Sequence, residues 1–99
     1  MPAEQKLKEM GLELGPVGTP VANFIPAVQT GNLLFVAGHI AGRPDGSVLN
    51  PGKVGRDVTE EQAYESAKLA MLNCLASIKQ ELGDLDKVKQ VVKLLVMVN

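Results

Sequence analysis

A two-residue turn signal, Gly31-Asn32, separates two apolar stretches and limits what the first half of the chain can form. Glycine and asparagine tolerate the positive backbone angles of the tight turns that join antiparallel strands. The pattern predicts a hairpin, with one strand over residues 23–30 and a return strand over residues 33–37. Pro26 cannot donate to a neighbouring strand, so the first strand lies at a sheet edge or carries a bulge. The five successive apolar residues of the return strand favour burial on both faces.

Two helices flank this hairpin in the predicted order. Residues 3–10 predict a short first helix. After a turn-rich loop over residues 38–57, with a small ribbon near residues 47–49, the sequence Thr59-Glu60-Glu61-Gln62 matches the capping box that starts a helix. Gly83 is typical of the residue that ends one. Between them an apolar stripe recurs every three or four residues: Ala63, Ala67, Ala70, Met71, Cys74, Leu75, Ile78 and Leu82.

Residues 88–98 begin with alternating polar and apolar positions and end in an apolar run, which predicts a central strand. The order β-β-α-β predicts an α+β fold, a mixed sheet with the long helix packed on one face. The other face would carry Phe35 together with Val91, Leu95 and Met97. An uncovered apolar face on so short a chain favours an oligomer, with coverage by further chain as the alternative.

Length and composition narrow the functional classes. Ninety-nine residues predict a single domain. A formal net charge of −1 and three aromatic residues disfavour nucleic-acid binding. The lone Cys74 cannot form an internal disulfide and suits a reducing compartment. The polar N-terminus is unlike a signal peptide, and no apolar run is long enough to span a membrane. These features predict a cytoplasmic location.

Two segments carry a family resemblance. NFIPAVQTGNLLFVAGHIA, residues 23–41, and GKVGRDVTEEQAYESAKLAMLNCLASIKQELGDLDKVKQVVKLLVMVN, residues 52–99, resemble the RidA family, also known as endoribonuclease L-PSP. The match runs from about residue 12 to residue 99 and is closest to a subgroup with a longer first helix. It implies a chorismate-mutase-like α+β fold and a homotrimer with a central barrel and ligand clefts between subunits. Residues 1–99 would form one incomplete domain of this kind.

The resemblance also implies chemistry. Family members hydrolyse reactive 2-imino acids or enamines to 2-oxo acids and ammonia without a cofactor, while others are assigned RNA cleavage or ligand binding alone. Gly38 matches the glycine whose backbone amide meets the substrate carboxylate. Phe24, Ala37 and His39 stand where many members have tyrosine, serine and glutamine. The family's carboxylate-binding arginine and water-positioning glutamate lie beyond its second helix, so we expect a C-terminally truncated chain with no assignable acid–base residue.

The residues themselves leave two interpretations open for Gly38 and His39. A glycine at a strand end either lets a ligand approach the backbone N–H or permits a tight bend. His39, the one histidine, either lines a cleft or has a structural role. For catalysis it would need an orienting carboxylate, for which Asp45 and Asp57 are candidates.

The remaining candidates are weaker. Arg56, and less strongly Arg43, could bind a carboxylate with two hydrogen bonds, although a solvated loop charge is the simpler explanation. Cys74 lies within the helical stripe and is interpreted as packing. One histidine and one cysteine lack metal-ligand spacing, so no metal site is predicted. The glycines of residues 46–55 fit neither phosphate-binding fingerprint and are interpreted as turns.

The first functional hypothesis is a trimer acting on small carboxylate-bearing imines or enamines at subunit clefts, with Gly38, Phe24, His39 and Arg56 as substrate-binding residues. The alternative is a trimer of the same kind that binds a small metabolite without chemistry. A ribonuclease is the third.

Overall fold

The computed structural model describes residues 3–15 and 25–99. A short helix α1 (Ala3–Glu9) precedes a hairpin of β1 (Ala27–Thr30) and β2 (Leu33–Val36), and a 23-residue helix α2 (Glu60–Leu82) follows. A single 3₁₀ turn at Leu85–Lys87 ends the regular structure of this part of the chain. The predicted order of helix, hairpin and long helix is confirmed, with shorter strands than the sequence predicts.

The hairpin has one face toward α2 and one face toward solvent. Ala27 pairs with Val36 on the first face, and Val28 pairs with Phe35 on the second. Ala27 is 4% exposed, whereas Phe35 is 61% exposed. The predicted burial of β2 on both faces is therefore wrong, because α2 covers one side of the hairpin. Pro26 lies just before the ladder, as its missing N–H requires, and its carbonyl accepts from the Ala37 N–H at 2.8 Å.

Helix α2 begins and ends where its local sequence predicts. The Thr59 hydroxyl accepts from the Gln62 N–H at 3.2 Å, and the Gln62 side chain accepts from the Thr59 N–H at 3.0 Å. Gly83 adopts a left-handed conformation with φ 84°, and its N–H donates to the Lys79 carbonyl. Glycine reaches this conformation without the steric cost that a Cβ brings, which is why it stops the helix.

The buried face of α2 is shifted from the predicted apolar stripe. Its most buried residues are Ala76 and Ser77, at 7% and 3% exposure. Within the stripe Ala67 is exposed and Met71 is 37% exposed. The helix packs on the hairpin through small side chains, and a buried hydroxyl takes a position that hydropathy assigns to solvent.

Helix α1 packs against the 3₁₀ turn that follows α2, and the Glu4 carboxylate of α1 bonds both of these elements. Glu4 accepts from the Lys79 ammonium at 2.8 Å and from the Leu85 N–H at 3.4 Å. The hydrogen bond between Lys79 and Glu4, together with the negative charge of Glu4, raises the pKa of Lys79. Leu85 is 2% exposed and is the largest fully buried side chain among the described residues.

The loop between β2 and α2 is tied by two isolated bridges. Gly42 pairs with Val48, close to the predicted ribbon, and Val54 pairs with Val58. Val58 and Ala41 are both buried, at 6% exposure each. The loop therefore contributes two of the core residues even though it has no regular structure.

The predicted final strand is wrong in this structure. Residues 88–99 belong to no helix or strand, and all of them are exposed. In the described part of the chain the sheet consists of β1 and β2, and this segment pairs with neither of them, so it makes no ladder hydrogen bonds. The observed sheet is two-stranded and antiparallel instead of mixed, while the α+β class is confirmed.

Apolar side chains are exposed on the outer hairpin face and in the C-terminal segment. Phe35 is 61% exposed, and Val91, Leu95 and Met97 are 68%, 75% and 86% exposed. These residues are exposed as expected, but they do not share a sheet face, because residues 88–99 form no strand. Among residues 3–15 and 25–99, no helix is both long and apolar enough to cross a membrane.

Candidate functional site

The chain leaves β2 through an exposed glycine that its surroundings do not require. Gly38 is absent from the residues with positive φ. A Cβ placed there would meet nothing within 4 Å in the described structure. Neither backbone conformation nor packing explains the glycine, a condition that Gly15 shares, so its place directly after β2 is what distinguishes it.

His39 has hydrogen-bond partners at both ring nitrogens. Nδ1 lies 2.7 Å from the Ala37 carbonyl oxygen, and Nε2 lies 2.8 Å from the Ser77 hydroxyl. A carbonyl only accepts, so Nδ1 carries a proton, and in the neutral ring Nε2 accepts from Ser77. The ring thus joins the end of the hairpin to α2.

The carboxylates proposed to orient His39 are engaged elsewhere. Asp45 accepts from the hydroxyl and the N–H of Ser47, and these hydrogen bonds lower its pKa. Asp57 accepts from Arg56 and from the Lys53 N–H. The predicted carboxylate–histidine contact is therefore wrong, because short-range loop hydrogen bonds hold both acids.

Arg56 forms an ion pair with its sequence neighbour. Its Nη2 lies 2.9 Å from Asp57 Oδ2, and its side chain is 69% exposed. The hydrogen bond from Arg56, followed by that from the Lys53 backbone, lowers the pKa of Asp57. A ligand carboxylate would have to compete with Asp57 for this guanidinium. Arg43 reaches the Val48 carbonyl at 3.4 Å.

Polar side chains of α2 hold the loop that follows β2. Asn73 donates to the carbonyls of Ile40 at 3.0 Å and Gly42 at 2.9 Å, and Ser66 donates to the Leu49 carbonyl at 2.9 Å. With Ser77, these residues stand seven and four positions apart and share one helix face. Sequence reasoning missed them, although small polar residues at helical spacing beside an apolar stripe were a usable signal.

An open groove of about 270 Å³ lies between the start of β1 and the second half of α2. It is lined by Ile25, Pro26, Ala27, Ser77, Gln80 and Glu81. Ser77 therefore borders the groove and also bonds His39. Phe24, predicted to line the ligand site, lies outside the described residues.

Cys74 has the environment of a packing residue. It is partly buried, and burial raises the pKa of its thiol. A higher pKa leaves less of the reactive thiolate near neutral pH. No cluster of three or more metal-ligating side chains occurs within the parts of the chain that the structure describes.

Comparison with known proteins decides the family. Residues 4–99 match the family described as "YjgF/chorismate mutase-like, putative endoribonuclease". The chain belongs to this family. The resemblance drawn from the hairpin and helix motifs is confirmed, and so is the chorismate-mutase-like fold.

Individual relatives agree with the family. Protein TCP17 of Trypanosoma cruzi is 32% identical over 93 residues, which cover 94% of this chain and 58% of that protein. A crystal structure described as that of "a putative endoribonuclease" from Shewanella oneidensis MR-1 is 34% identical with a TM-score of 0.81, covering 89% of this chain and 58% of the other. A protein of unknown function from Agrobacterium tumefaciens is 39% identical with a TM-score of 0.75, covering 90% and 54%. The chain thus spans a little over half the length of these relatives.

Proposed function

We propose that this protein binds a small carboxylate-bearing imine or enamine at Gly38 and hydrolyses it to a 2-oxo acid and ammonia. Water adds to the carbon of the C=N bond, the nitrogen leaves as ammonia, and no electrons are exchanged, so the reaction needs no redox cofactor. The observation that carries the proposal is a glycine, exposed at the end of β2, in a place where neither φ nor packing requires one.

The proposal gives each predicted site residue a role. A carboxylate can approach the Gly38 N–H closely, because no side chain stands before it. His39 is next in the chain. Arg56 would supply a cation if it exchanged Asp57 for the ligand, and Phe24, which lies outside the described residues, would add apolar surface.

Exposed apolar surface supports the second part of the proposal, a homotrimer with its clefts between subunits. The outer hairpin face exposes Val28, Leu33 and Phe35, at 48%, 50% and 61%. Contiguous apolar surface of this kind usually marks an interface. A neighbouring subunit on this face would place its own residues beside the β2 end.

The test is ammonia release from an imino acid made in situ by an amino acid oxidase. We expect faster release with the protein than without it, and a loss of that acceleration in Gly38→Val, whose side chain would block the amide. Gly15→Val is the matched control, because Gly15 also has ordinary φ and open space. An unchanged rate with the wild-type protein would contradict the proposal.

Binding without chemistry is the second candidate, and one observation favours it. His39 is the ionisable residue adjacent to Gly38, and both of its ring nitrogens are already hydrogen-bonded. Calorimetric titration with pyruvate separates the two candidates: heat of binding without ammonia release supports the binding function alone.

RNA cleavage is a third candidate function, because the family and the Shewanella oneidensis protein are both described with the words "putative endoribonuclease". The net charge of −1 gives little attraction for phosphate. Incubation with a single-stranded RNA tests it, and we expect intact RNA. RNA-cleaving activity that co-purifies with the protein would contradict this expectation.

A further inference from the structure

We infer that His39 and Ser77 are positioning residues that hold the Gly38 amide in place for the ligand's carboxylate. The inference rests on the proposed function and deepens it. It concerns how a glycine, the most flexible residue type, presents its N–H in a fixed place.

The first step is the contact across Gly38. The His39 ring reaches back to the Ala37 carbonyl at 2.7 Å, so a hydrogen bond joins the two residues on either side of the glycine. On the hairpin side, the Ala37 N–H donates to the Pro26 carbonyl at 2.8 Å. A backbone hydrogen bond and a side-chain hydrogen bond therefore hold Ala37, directly before Gly38, and the second also holds His39, directly after it.

The second step is the anchor of the ring itself. Ser77 is 3% exposed, and its hydroxyl lies 2.8 Å from His39 Nε2. Ser77 belongs to the long helix α2 and lies 38 positions from His39 in sequence. The hydrogen bond therefore connects the segment after β2 to the longest element of the described structure. A buried side chain on a helix is a more precise support than one on a loop.

The third step is the chain after His39. Asn73, one turn before Ser77 on α2, donates to the carbonyls of Ile40 and Gly42. One helix face thus fixes the chain at residues 39, 40 and 42, while Gly38 itself stays exposed. Preorganised donors of this kind lose little entropy when an anion binds.

The competing explanation is that these bonds only stabilise the fold. Ser66 supplies the matched control. It lies on the same helix and also donates to a loop carbonyl, that of Leu49, away from Gly38. Ser66→Ala and Ser77→Ala therefore each delete one hydroxyl and one helix-to-loop hydrogen bond, but Ser77→Ala alone releases the ring beside the glycine.

The experiment measures the ¹⁵N order parameter of the Gly38 amide and the affinity for pyruvate in three proteins: wild type, Ser77→Ala and Ser66→Ala. In the wild type without ligand, we expect an order parameter near that of rigid backbone, about 0.85. Ser77→Ala should lower it and weaken pyruvate binding roughly three- to tenfold, the range that one lost hydrogen bond gives. Ser66→Ala should change neither.

Each outcome decides the inference. A wild-type order parameter below about 0.6, typical of flexible backbone, overturns it without any variant. An unchanged Gly38 amide in Ser77→Ala, or equal changes in both variants, also overturns it. A rigid Gly38 that loosens in Ser77→Ala, in a protein that leaves the rate of ammonia release unchanged, supports the positioning while overturning the proposed function.

Discussion

Two glycines, Gly52 and Gly38, have different physical reasons for the same residue type. Gly52 has φ +130°, and a Cβ there would lie 2.5 Å from the Cβ of Asp57. Gly38 has neither constraint. The first glycine is needed for the fold, and the second leaves a backbone amide accessible. The comparison sets a glycine that the fold requires against one that the proposed binding of a carboxylate would require.

The bend at Gly52 leads into a hydrogen-bonded segment that precedes the start of α2. Beyond Gly52, the Lys53 carbonyl accepts from the N–H groups of Asp57 at 2.8 Å and Val58 at 3.1 Å. The Asp57 side chain accepts in turn from the Lys53 N–H at 3.0 Å. Val58 is buried, and Thr59 then caps the helix. Strain at Gly52 would therefore spread into the helix start.

Gly52→Ala should have the largest effect on stability. Alanine at this φ is strained, and its Cβ would overlap Asp57, so we expect a loss of at least about 2 kcal/mol in the free energy of unfolding. Urea denaturation measures it, with Gly15→Ala as the control of equal chemistry. A denaturation midpoint equal to that of the control would contradict the claim that the fold requires glycine at position 52.

Thr59→Ala should cost less. It removes the hydroxyl that accepts from the Gln62 N–H, and loss of such a cap typically destabilises by about 1 kcal/mol. The same denaturation series measures it. Thr30→Ala, an exposed threonine at the end of β1, is the control and should cost less than Thr59→Ala. Equal costs would show that the capping box adds no specific stability.

Acid should weaken the Gly52 bend through Asp57. The hydrogen bond from Arg56 and that from the Lys53 backbone place its folded pKa below the model-peptide value of 3.8. A lowered pKa means that this contribution is present above 3.8 and is lost as pH falls through the folded value. Thermal unfolding at pH 7 and pH 3 should show a smaller acid-induced drop in Tm for Asp57→Asn than for the wild type. Equal drops would contradict the role of this carboxylate.

Gly38→Ala should have the smallest effect on stability. Its φ is ordinary and a Cβ meets open space, so the change in unfolding free energy should stay within about 0.5 kcal/mol. Affinity for pyruvate should fall, because the methyl group stands beside the amide. Denaturation and calorimetry on one preparation measure both. A stability loss as large as that of Gly52→Ala would show that the fold requires both glycines and would remove the distinction between them.

The sequence predicts well what neighbouring residues decide. The Gly31-Asn32 turn, the Thr59–Gln62 capping box and the Gly83 helix stop depend on atoms a few positions apart, and the structure confirms all three. The family follows from the same segments. Residues 88–98 show the limit, because their alternating pattern indicates strand propensity but cannot supply a partner strand.

The candidate site was less predictable. Gly38 and His39 could be singled out from the sequence, but the His39–Ser77 contact joins residues 38 positions apart. It arises only once α2 packs on the hairpin. The acids at positions 45 and 57 failed as partners of His39, because adjacent donors in their own turns reach them first.

The most direct test of the account is an amide-resolved NMR titration of the wild-type protein with pyruvate. If Gly38 is the anion donor, its amide signal should shift the most, and should do so saturably, with smaller changes at Ala37 and His39. A titration in which the Gly38 signal stays fixed, whether or not other amides move, would contradict the central claim that this glycine serves ligand binding.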